Sequence, residues 1–402
     1  MKSTVAFFLG ICLGLSMLKG QETDTTSSVY LNTVESMLKK DGNLMLGGYG
    51  EVHYNQPLHA DQRDPGTLDV HRIVMFLGYN FSSKTQFVSE IEFEHANEIW
   101  VEQAFLQHRI NKYFNLRAGL LLIPMGIINE YHEPPTFNGV ERPVIDNRIA
   151  PTTWREIGAG FAGTWLPLSI RYQGYVVNGV NGYDSKGVLN GTNGIRSGRQ
   201  KGSNAYMSSP NYTAKVEYFG VKNLNIGISG YFGNSQSRLY SKLHRDSVNM
   251  VARADSSIVF ISMAGADFRY EVRGVELRGQ FYYTSFSNSE AYNQFTSVNG
   301  IANDLGSSMV GYYIEAGYNI FRHFDNIRTG LVTFIRYEGY NTHHTVNSSM
   351  EANKMYDNTV ITTGLTYRLN RGAVIKTDLQ FFKSAADIKF SRVFNAGVGV
   401  MF

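Results

Sequence analysis

Ionisable side chains that could bind a solute or take part in catalysis are concentrated in one stretch, residues 123–156. The candidate site residues are Glu130, His132, Glu133, Glu141, Arg142, Arg148, Arg155 and Glu156. Both charge signs occur, so these groups can pair with one another or contact charged solutes. The His132-Glu133 pair is similar to the start of a zinc-protease motif, but Pro134 and Pro135 break the helix on which the second histidine would have to lie. No metal site is predicted.

The residues that flank the other catalytic-type motifs do not support a catalytic or cofactor-binding role for them. Gly158, Gly160 and Gly163 fit the spacing of a dinucleotide-binding loop, but a strand follows where that site needs a helix. His343 and His344 have no clustered partner in the sequence and are interpreted as a solvated pair. A Ser-His-Asp triad stays open, although no local signature supports one. We therefore predict no enzymatic activity and no cofactor, and keep a barrel enzyme as an alternative.

The stretch 123–156 must be a long irregular loop, because it holds five of the nine prolines in the chain. Neither a helix nor a paired strand runs through so many prolines. Loops of this length are usually either functional or disordered. Apolar residues such as Tyr131, Phe137 and Trp154 are more frequent here than in a solvated linker. An ordered loop folded into the rest of the protein is the prediction.

The rest of the chain shows the period-two alternation of β-strands from Asn43 onward. Sixteen segments are predicted as strands: 43–55, 68–81, 85–96, 99–110, 115–124, 153–165, 168–178, 210–220, 224–234, 257–271, 275–286, 308–320, 327–340, 359–370, 373–383 and 388–402. Short and long connections alternate between them, which is typical of a transmembrane barrel. The predicted fold is all-β, a closed antiparallel barrel with the long third loop folded into its lumen. A soluble sandwich is the weaker alternative, because its loop lengths need not alternate.

The N-terminus carries the features of a secretory signal. Lys2 precedes an apolar run over residues 5–17, and cleavage is expected between Gly20 and Gln21. The predicted organisation is a signal peptide over 1–20, a periplasmic tail with a marginal helix over 21–42, and a barrel over 43–402. The only cysteine, Cys12, would be removed with the signal peptide. The formal net charge of +3 is too small to indicate nucleic-acid binding.

Alternation also assigns the faces of most strands. The lumen-facing candidates are Glu90, Glu92, Glu94, Arg117, Arg171, Arg278 and Arg336, and the same parity places Arg328 inside. Around His71 and Glu102 the alternation is too weak to assign a face. Acids outnumber bases slightly, so a weak ion preference, slightly cationic, is predicted. Glu90, Glu92 and Glu94 form an acidic strip, and we expect Arg142, Arg148 or Arg155 to bridge it. Gly158 and Gly160 leave a wall without side chains, which either makes room for the loop or only lets the sheet bend, and both interpretations stay open.

Four segments of the chain resemble a known family. They are LLLIPMGIINEYHEPPTFNGVERP at 120–143, IAPTTWREIGAGFAG at 149–163, GYGEVHYN at 48–55 and SEIEFEHANEIWVEQAF at 89–105. They resemble the phosphate-selective porin O/P family. The resemblance implies a sixteen-stranded channel of the bacterial outer membrane, usually trimeric, narrowed by its third loop. The terminal Phe402 resembles the last residue that the barrel assembly machinery reads in outer-membrane proteins.

The function predicted on this basis is passive diffusion of small polar or charged solutes through the outer membrane. Phosphate or anion transport is what the family resemblance implies, whereas the mixed charges argue against strong selectivity. Expected partners are outer-membrane lipid, small solutes or ions, the assembly machinery and two further copies in a homotrimer. A plugged structural or adhesive barrel is the second alternative to a channel.

Overall fold

A computed structural model describes residues 32–39, 42–59, 62–324 and 326–402. The predicted signal peptide, its cleavage site at Gly20 and Gln21, and the first part of the tail lie outside these residues and stay predictions. The described part of the tail contains one short helix, α1, at Thr33–Met37. Its N-terminus is capped by Asn32, whose side chain accepts a hydrogen bond from the N–H of Glu35 at 2.8 Å.

Sixteen strands close into one antiparallel barrel, as the sequence predicts. They are β1 Leu44–Pro57, β2 Thr67–Asn80, β3 Thr85–Glu94, β4 Glu98–Arg109, β5 Asn115–Leu122, β6 Arg155–Trp165, β7 Ile170–Val177, β8 Asn211–Tyr218, β9 Leu224–Asn234, β10 Phe260–Val272, β11 Val275–Ser287, β12 Ser308–Asn319, β13 Gly330–Thr345, β14 Asp357–Arg368, β15 Ala373–Ser384 and β16 Ser391–Met401. Each strand pairs with its neighbours in the chain, and β16 pairs with β1. Closure leaves no unpaired strand edge among the sixteen described strands of the barrel.

The two faces of the wall differ in the sense expected of a membrane barrel. Along β8 the residues alternate strictly: Thr213, Lys215 and Glu217 are buried, whereas Tyr212 and Val216 are exposed on the outside. Buried charges and an exposed apolar surface are the inverse of a soluble protein, and lipid is the solvent that this arrangement suits. None of the described helices is long and apolar enough to cross a membrane.

Two β-bulges explain the segments that alternate poorly. The pairing of β1 with β2 shifts between Glu51 and Val52, so that His71 has no partner of its own. The pairing of β3 with β4 shifts between Glu90 and Ile91, and Glu102 is the extra residue. A bulge places two residues of one strand opposite one of the other, and the inward parity changes there. Simple alternation therefore cannot assign the faces of β2 and β4.

The connections are short at the barrel end that holds Phe402 and mostly long at the other end. Arg328 lies exposed in one of the turns, between β12 and β13, so its predicted lumenal position is wrong. Among the long connections, loop 3 (residues 123–154) contains helix α2 at Ile145–Arg148. The other connections contain α3 at Val248–Asp255 and α4 at Ser289–Phe295. Short strands at Asn181–Asp184, Lys186–Gly187 and Gln236–Ser237 form a small separate sheet there.

Helix α1 lies at the short-turn end of the lumen. Val34 and Met37 are buried in one cluster with wall residues of β1 and β2. Glu35 accepts a charge-assisted hydrogen bond from Arg117 on β5 at 2.6 Å. Phe402 completes the seam between the first and last strands, because its N–H donates to the carbonyl of Gly48 at 2.9 Å. Recognition of Phe402 by the assembly machinery stays a prediction.

Candidate functional site: loop 3 and the lumenal wall

Loop 3 leaves and rejoins the wall at one point. The N–H of Ile123 donates to the carbonyl of Trp154 at 2.8 Å. Asn129 joins the two ends, since its Nδ2 donates to the carbonyls of Ile123 at 2.7 Å and Trp154 at 3.0 Å. Its Oδ1 accepts from the N–H of Trp154 at 2.8 Å. A single amide side chain therefore closes the base of the loop, and the residues between extend away from β5 and β6.

The first limb of the loop lies against β8 and β10. The Lys215 ammonium donates to Glu130 at 2.9 Å and to the carbonyl of Gly126 at 2.5 Å. The guanidinium of Arg269 lies 3.9 Å from the centre of the Tyr131 ring. Lys215 and Arg269 are both buried on the inner face of the wall, so the first limb is inside the barrel.

The middle of the loop reaches the opposite part of the wall. The side-chain amide of Asn138 donates to Glu315 on β12 at 3.1 Å, and its carbonyl accepts from Arg336 on β13 at 3.3 Å. The N–H of Val140 donates to Asp378 on β15 at 2.6 Å. The loop backbone thus uses wall charges as hydrogen-bond partners, which satisfies backbone groups that would otherwise be buried without one.

The return limb contacts further strands. Glu141 accepts hydrogen bonds from Asn55 on β1 at 2.9 Å and shares one with His53 at 3.1 Å. Asp146, on helix α2, accepts from Gln280 at 2.9 Å and from Tyr282 at 3.0 Å, both on β11. Loop 3 therefore contacts strands on opposite sides of the barrel and crosses its lumen.

Two cavities lie on either side of this crossing. A cavity of about 410 Å³ opens toward the long-loop end and is lined by Glu51, His53, Glu94, Glu141, Arg142 and Arg148, among others. A cavity of about 270 Å³ at the short-turn end is lined by Thr33, Met37, Glu133, Thr136 and Phe402, among others. Loop 3 contributes residues to both, so it forms the partition between them.

The predicted site residues occupy three positions. Buried between loop 3 and the wall are Glu130, His132, Glu133, Arg155 and Glu156, together with the wall residues Glu90, Glu92, Arg117, Arg171, Arg278 and Arg336. Glu94 and Glu141 lie at the larger cavity. Arg142 and Arg148 line the same cavity but are partly exposed; Arg142 donates to the carbonyl of His132 at 2.8 Å, and Arg148 contacts Asn193 at 3.4 Å. Their role in limiting a pore stays a prediction.

The predicted bridge between the loop arginines and the acidic strip is wrong. Glu92 pairs instead with Arg72 at 3.1 Å, and Arg72 also binds Glu51 at 2.8 Å. Glu90 contacts His132 of loop 3 at 3.0 Å. Arg72 and Glu102 are buried lumenal residues that alternation misses, because both lie beside the two β-bulges.

The glycines of β6 serve the strand pair rather than the loop. A Cβ atom on Gly158 would lie 2.2 Å from the carbonyl oxygen of Val176, and one on Gly160 would lie 2.0 Å from that of Gly174. Both carbonyls belong to β7. The interpretation that these glycines make room for loop 3 is therefore corrected: they permit the close approach of the neighbouring strand.

The buried side chains carry charges of both signs, and the acids outnumber the bases. Among the described residues, fourteen buried carboxylic acids accompany nine buried arginines and lysines. The acids are Glu51, Glu90, Glu92, Glu102, Glu130, Glu133, Asp146, Glu156, Glu217, Asp267, Glu276, Glu315, Glu338 and Asp378, and the bases are Arg72, Arg117, Arg155, Arg171, Lys215, Arg269, Arg278, Arg336 and Lys376. The interior is therefore acidic, although the whole chain has a small positive formal charge.

A sequence relative covers most of the chain. It is an uncharacterised protein of Aquifex aeolicus (strain VF5), 32% identical over 370 residues, which are 89% of this chain and 79% of the relative. No family model matches the chain. The finer resemblance to the phosphate-selective porin O/P family therefore stays a prediction.

Solved outer-membrane proteins share the fold at low sequence identity. An anion-selective porin from Comamonas acidovorans has a TM-score of 0.56 and 11% identity, covering 90% of this chain and 99% of the porin. Salmonella typhi OmpF in complex with daunomycin has a TM-score of 0.54 and 13% identity, covering 90% and 98%. In-vitro folded OmpT of Vibrio cholerae in its trimer form has a TM-score of 0.51 and 10% identity, covering 90% and 100%. The fold is that of a bacterial outer-membrane barrel of the porin type.

Proposed function

This chain belongs to the same family as the Aquifex aeolicus protein, and we propose that it is a narrow porin-type channel of the bacterial outer membrane that passes small cations and small polar solutes. The observation that carries the proposal is the acidic interior of a closed barrel, in which fourteen buried acids accompany nine bases among the residues that the structure describes. An interior of this kind is polar in the way that aqueous channels are, whereas a barrel that is only a packed core is filled by apolar side chains.

The narrowness follows from loop 3. Its contacts with β1, β11, β12, β13 and β15 leave cavities on both sides and a partition between them. Solutes must therefore pass between the loop and the wall, along the polar contacts. Charged side chains lining a constriction set ion preference more strongly than charges in a wide vestibule.

Phosphate selectivity is not part of this proposal, because three wall arginines of the lumen are engaged by carboxylates, and the loop residues Arg142 and Arg148 contact a carbonyl and an amide instead. Arg336 pairs with Glu315 at 3.2 Å and with Glu338 at 3.0 Å, and Arg278 pairs with Glu315 at 3.2 Å. Arg117 pairs with Glu35 at 2.6 Å. An arginine whose donors already meet carboxylates has little capacity left for a phosphate oxyanion.

Reversal potentials across a planar bilayer with a salt gradient test the proposed selectivity. We expect small single-channel conductance and a weak preference for cations over chloride, which falls as the ionic strength rises because salt screens the lumenal charges. Inorganic phosphate should leave the chloride current unchanged. Strong anion preference with block by phosphate would show instead that the function implied by the family resemblance applies.

A plugged structural barrel is the second candidate, favoured by the contacts at the short-turn end. There Thr33 of α1 donates its N–H to Glu133 of loop 3 at 3.3 Å, so the tail and the loop meet inside the lumen. If this candidate is right, folded wild-type barrels show no conductance. Measurable conductance, however small, favours the channel.

A homotrimer is proposed as the assembly. The support is the porin-type fold and the trimer form of one solved barrel of that fold. Native mass spectrometry in detergent tests it, with a trimer expected and a monomer as the contrary result.

A further inference from the structure

A fully buried cluster of two acids and one histidine joins loop 3 to the wall. It consists of His132 on loop 3, Glu90 on β3 and Glu102 on β4, which are 2%, 0% and 0% exposed. One ligand atom from each lies within 4.8 Å of the other two. The Nε2 atom of His132 is 3.0 Å from Glu90 Oε1 and 3.6 Å from Glu102 Oε2.

The hydrogen-bond pattern around His132 leaves its Nε2 facing two acceptors. Its Nδ1 lies 3.2 Å from the carbonyl oxygen of Asn129, which can only accept, so Nδ1 carries a proton. In the neutral ring, Nε2 then presents a lone pair toward the oxygens of Glu90 and Glu102. Two acceptors at 3.0 Å repel each other unless a shared proton or a metal cation lies between them.

Glu102 lacks the partners that a buried carboxylate requires. Within the described part of the chain, neither of its oxygens accepts from an N–H or hydroxyl donor, and its neighbours include the carboxyls of Glu90 and Glu92. The closest guanidinium, that of Arg155, is 3.9 Å away, and Arg72 is already shared by Glu51 and Glu92. A buried charge without a partner is strongly unfavourable, because the solvation that it loses is not replaced. The cluster therefore lacks a cationic partner at one carboxylate, that of Glu102.

We propose that Glu90, Glu102 and His132 bind a divalent transition-metal cation, with Zn²⁺ as the probe, and that this cation fastens loop 3 to β3 and β4. Imidazole nitrogen and carboxylate oxygen bind zinc at about 2.0–2.2 Å, which separates neighbouring ligand atoms by about 3.3–3.6 Å in tetrahedral geometry. The observed separations of 3.0 and 3.6 Å are close to that spacing. Two carboxylates also neutralise a divalent charge.

The surrounding contacts hold the ligands in the orientation that a metal needs. The carbonyl of Asn129 fixes the ring of His132, and ligating histidines usually donate their other N–H in this way. Gln103 donates to the second oxygen of Glu90 at 2.7 Å. The site goes beyond channel function, since metal retention does not require that the barrel conducts.

A second cluster, Asp69, His71 and His95, provides the control. It is partly exposed at the long-loop end, and its groups also lie within 4.8 Å of one another. Its ring nitrogens have partners: His95 contacts Asp69 at 2.7 Å, and Arg72 lies 2.7 Å from the Nε2 of His71. A metal bound at this cluster would be removable by chelators, whereas one enclosed behind loop 3 would not.

The test is zinc retention after refolding. The full mature chain is refolded with Zn²⁺ and passed through EDTA on a desalting column. Bound zinc is then measured by mass spectrometry, and only in barrels that are heat-modifiable and therefore folded. We expect the wild type and the control His95→Asn to retain a single zinc ion per chain, and Glu102→Gln and His132→Asn to retain almost none.

Two results would overturn the proposal. One is a folded wild type that retains no zinc, which would mean that a proton bridges the cluster. The other is retention equal to that of the wild type in Glu102→Gln and His132→Asn, or loss of zinc in His95→Asn. If neither buried-site variant folds, X-ray absorption at the zinc edge of the wild type decides: one imidazole with oxygen ligands supports the site, and two or more imidazoles or oxygen ligands alone exclude it.

Discussion

Single-channel conductance should rise several-fold when residues 131–147 are deleted. The deleted segment contains the residues that meet the far wall, Asn138, Glu141 and Asp146. The base of the loop is kept, because Asn129 and Trp154 still join its ends. Without the segment, the two cavities merge into one aqueous lumen, and the conductance of a wide pore follows its narrowest cross-section. Planar-bilayer recordings of refolded barrels measure the change.

A deletion of residues 241–246 is the matched control. These residues lie mostly exposed in the long connection between β9 and β10 and line neither cavity described above. Loop-tip deletions of this kind are usually tolerated, so the control should conduct like the wild type. Equal conductance of the 131–147 deletion and the wild type, in barrels shown to be folded, would mean that loop 3 does not limit the channel.

The second large effect is expected at Arg336, which is 0% exposed. Its guanidinium binds Glu315 at 3.2 Å and Glu338 at 3.0 Å and donates to the carbonyl of Asn138 on loop 3 at 3.3 Å. Arg336→Met keeps most of the side-chain volume but leaves the two carboxylates without this partner. Breaking a buried ion pair by removing one member costs about 3–5 kcal/mol. Urea unfolding of the refolded barrel should show a loss of stability of that order.

Lys389→Met removes a cation from an exposed position in the connection between β15 and β16 and is the control. Exposed charges contribute about 0–1 kcal/mol, so its unfolding midpoint should remain near that of the wild type. If the two variants lose equal stability, the network around Arg336 does not hold the loop to the wall.

Strand positions and most faces follow from the sequence because lipid and lumen impose opposite polarity on alternate residues. In β8 the inward Lys215 and Glu217 and the outward Tyr212 and Val216 obey the rule without exception. The predicted and observed strands coincide to within a few residues at most ends, since period-two alternation stops where the chain leaves the wall.

The alternation of polar and apolar residues does not predict the two β-bulges. Arg72 and Glu102 are lumenal, yet a single extra residue in each strand changes the parity beside them. Whether an extra residue sits in the strand depends on hydrogen bonds to the partner strand, which the local sequence does not encode. The consequence is specific: the acidic strip is bound by Arg72 and His132 and not by the loop arginines.

The path of loop 3 is the other part that the sequence leaves undetermined. Its prolines and aromatic residues predict an ordered loop, but its partners are remote in the chain, as for Val140 and Asp378. Nothing in the alternation of β15 indicates which loop atom an inward carboxylate will meet. The sequence therefore identifies candidates such as Glu141 and Arg148 by residue type, but it does not identify their neighbours His53 and Asn193.

A disulfide trap tests most directly the claim that loop 3 crosses the lumen. A Cβ atom on Gly397 of β16 would lie 3.1 Å from Cγ1 of Val140, which is one bond beyond the Cβ atom of Val140. The two Cβ atoms therefore lie within about 4.6 Å of each other, close to the Cβ–Cβ separation of about 3.5–4.5 Å that a disulfide requires. The control pair uses Val398, the next residue, which is 50% exposed on the outer face. In a Cys12→Ser background, mass spectrometry of digested barrels should find the link in Val140→Cys/Gly397→Cys and none in Val140→Cys/Val398→Cys. Folded barrels in which neither pair forms a link, or in which both pairs link equally, would contradict the crossing.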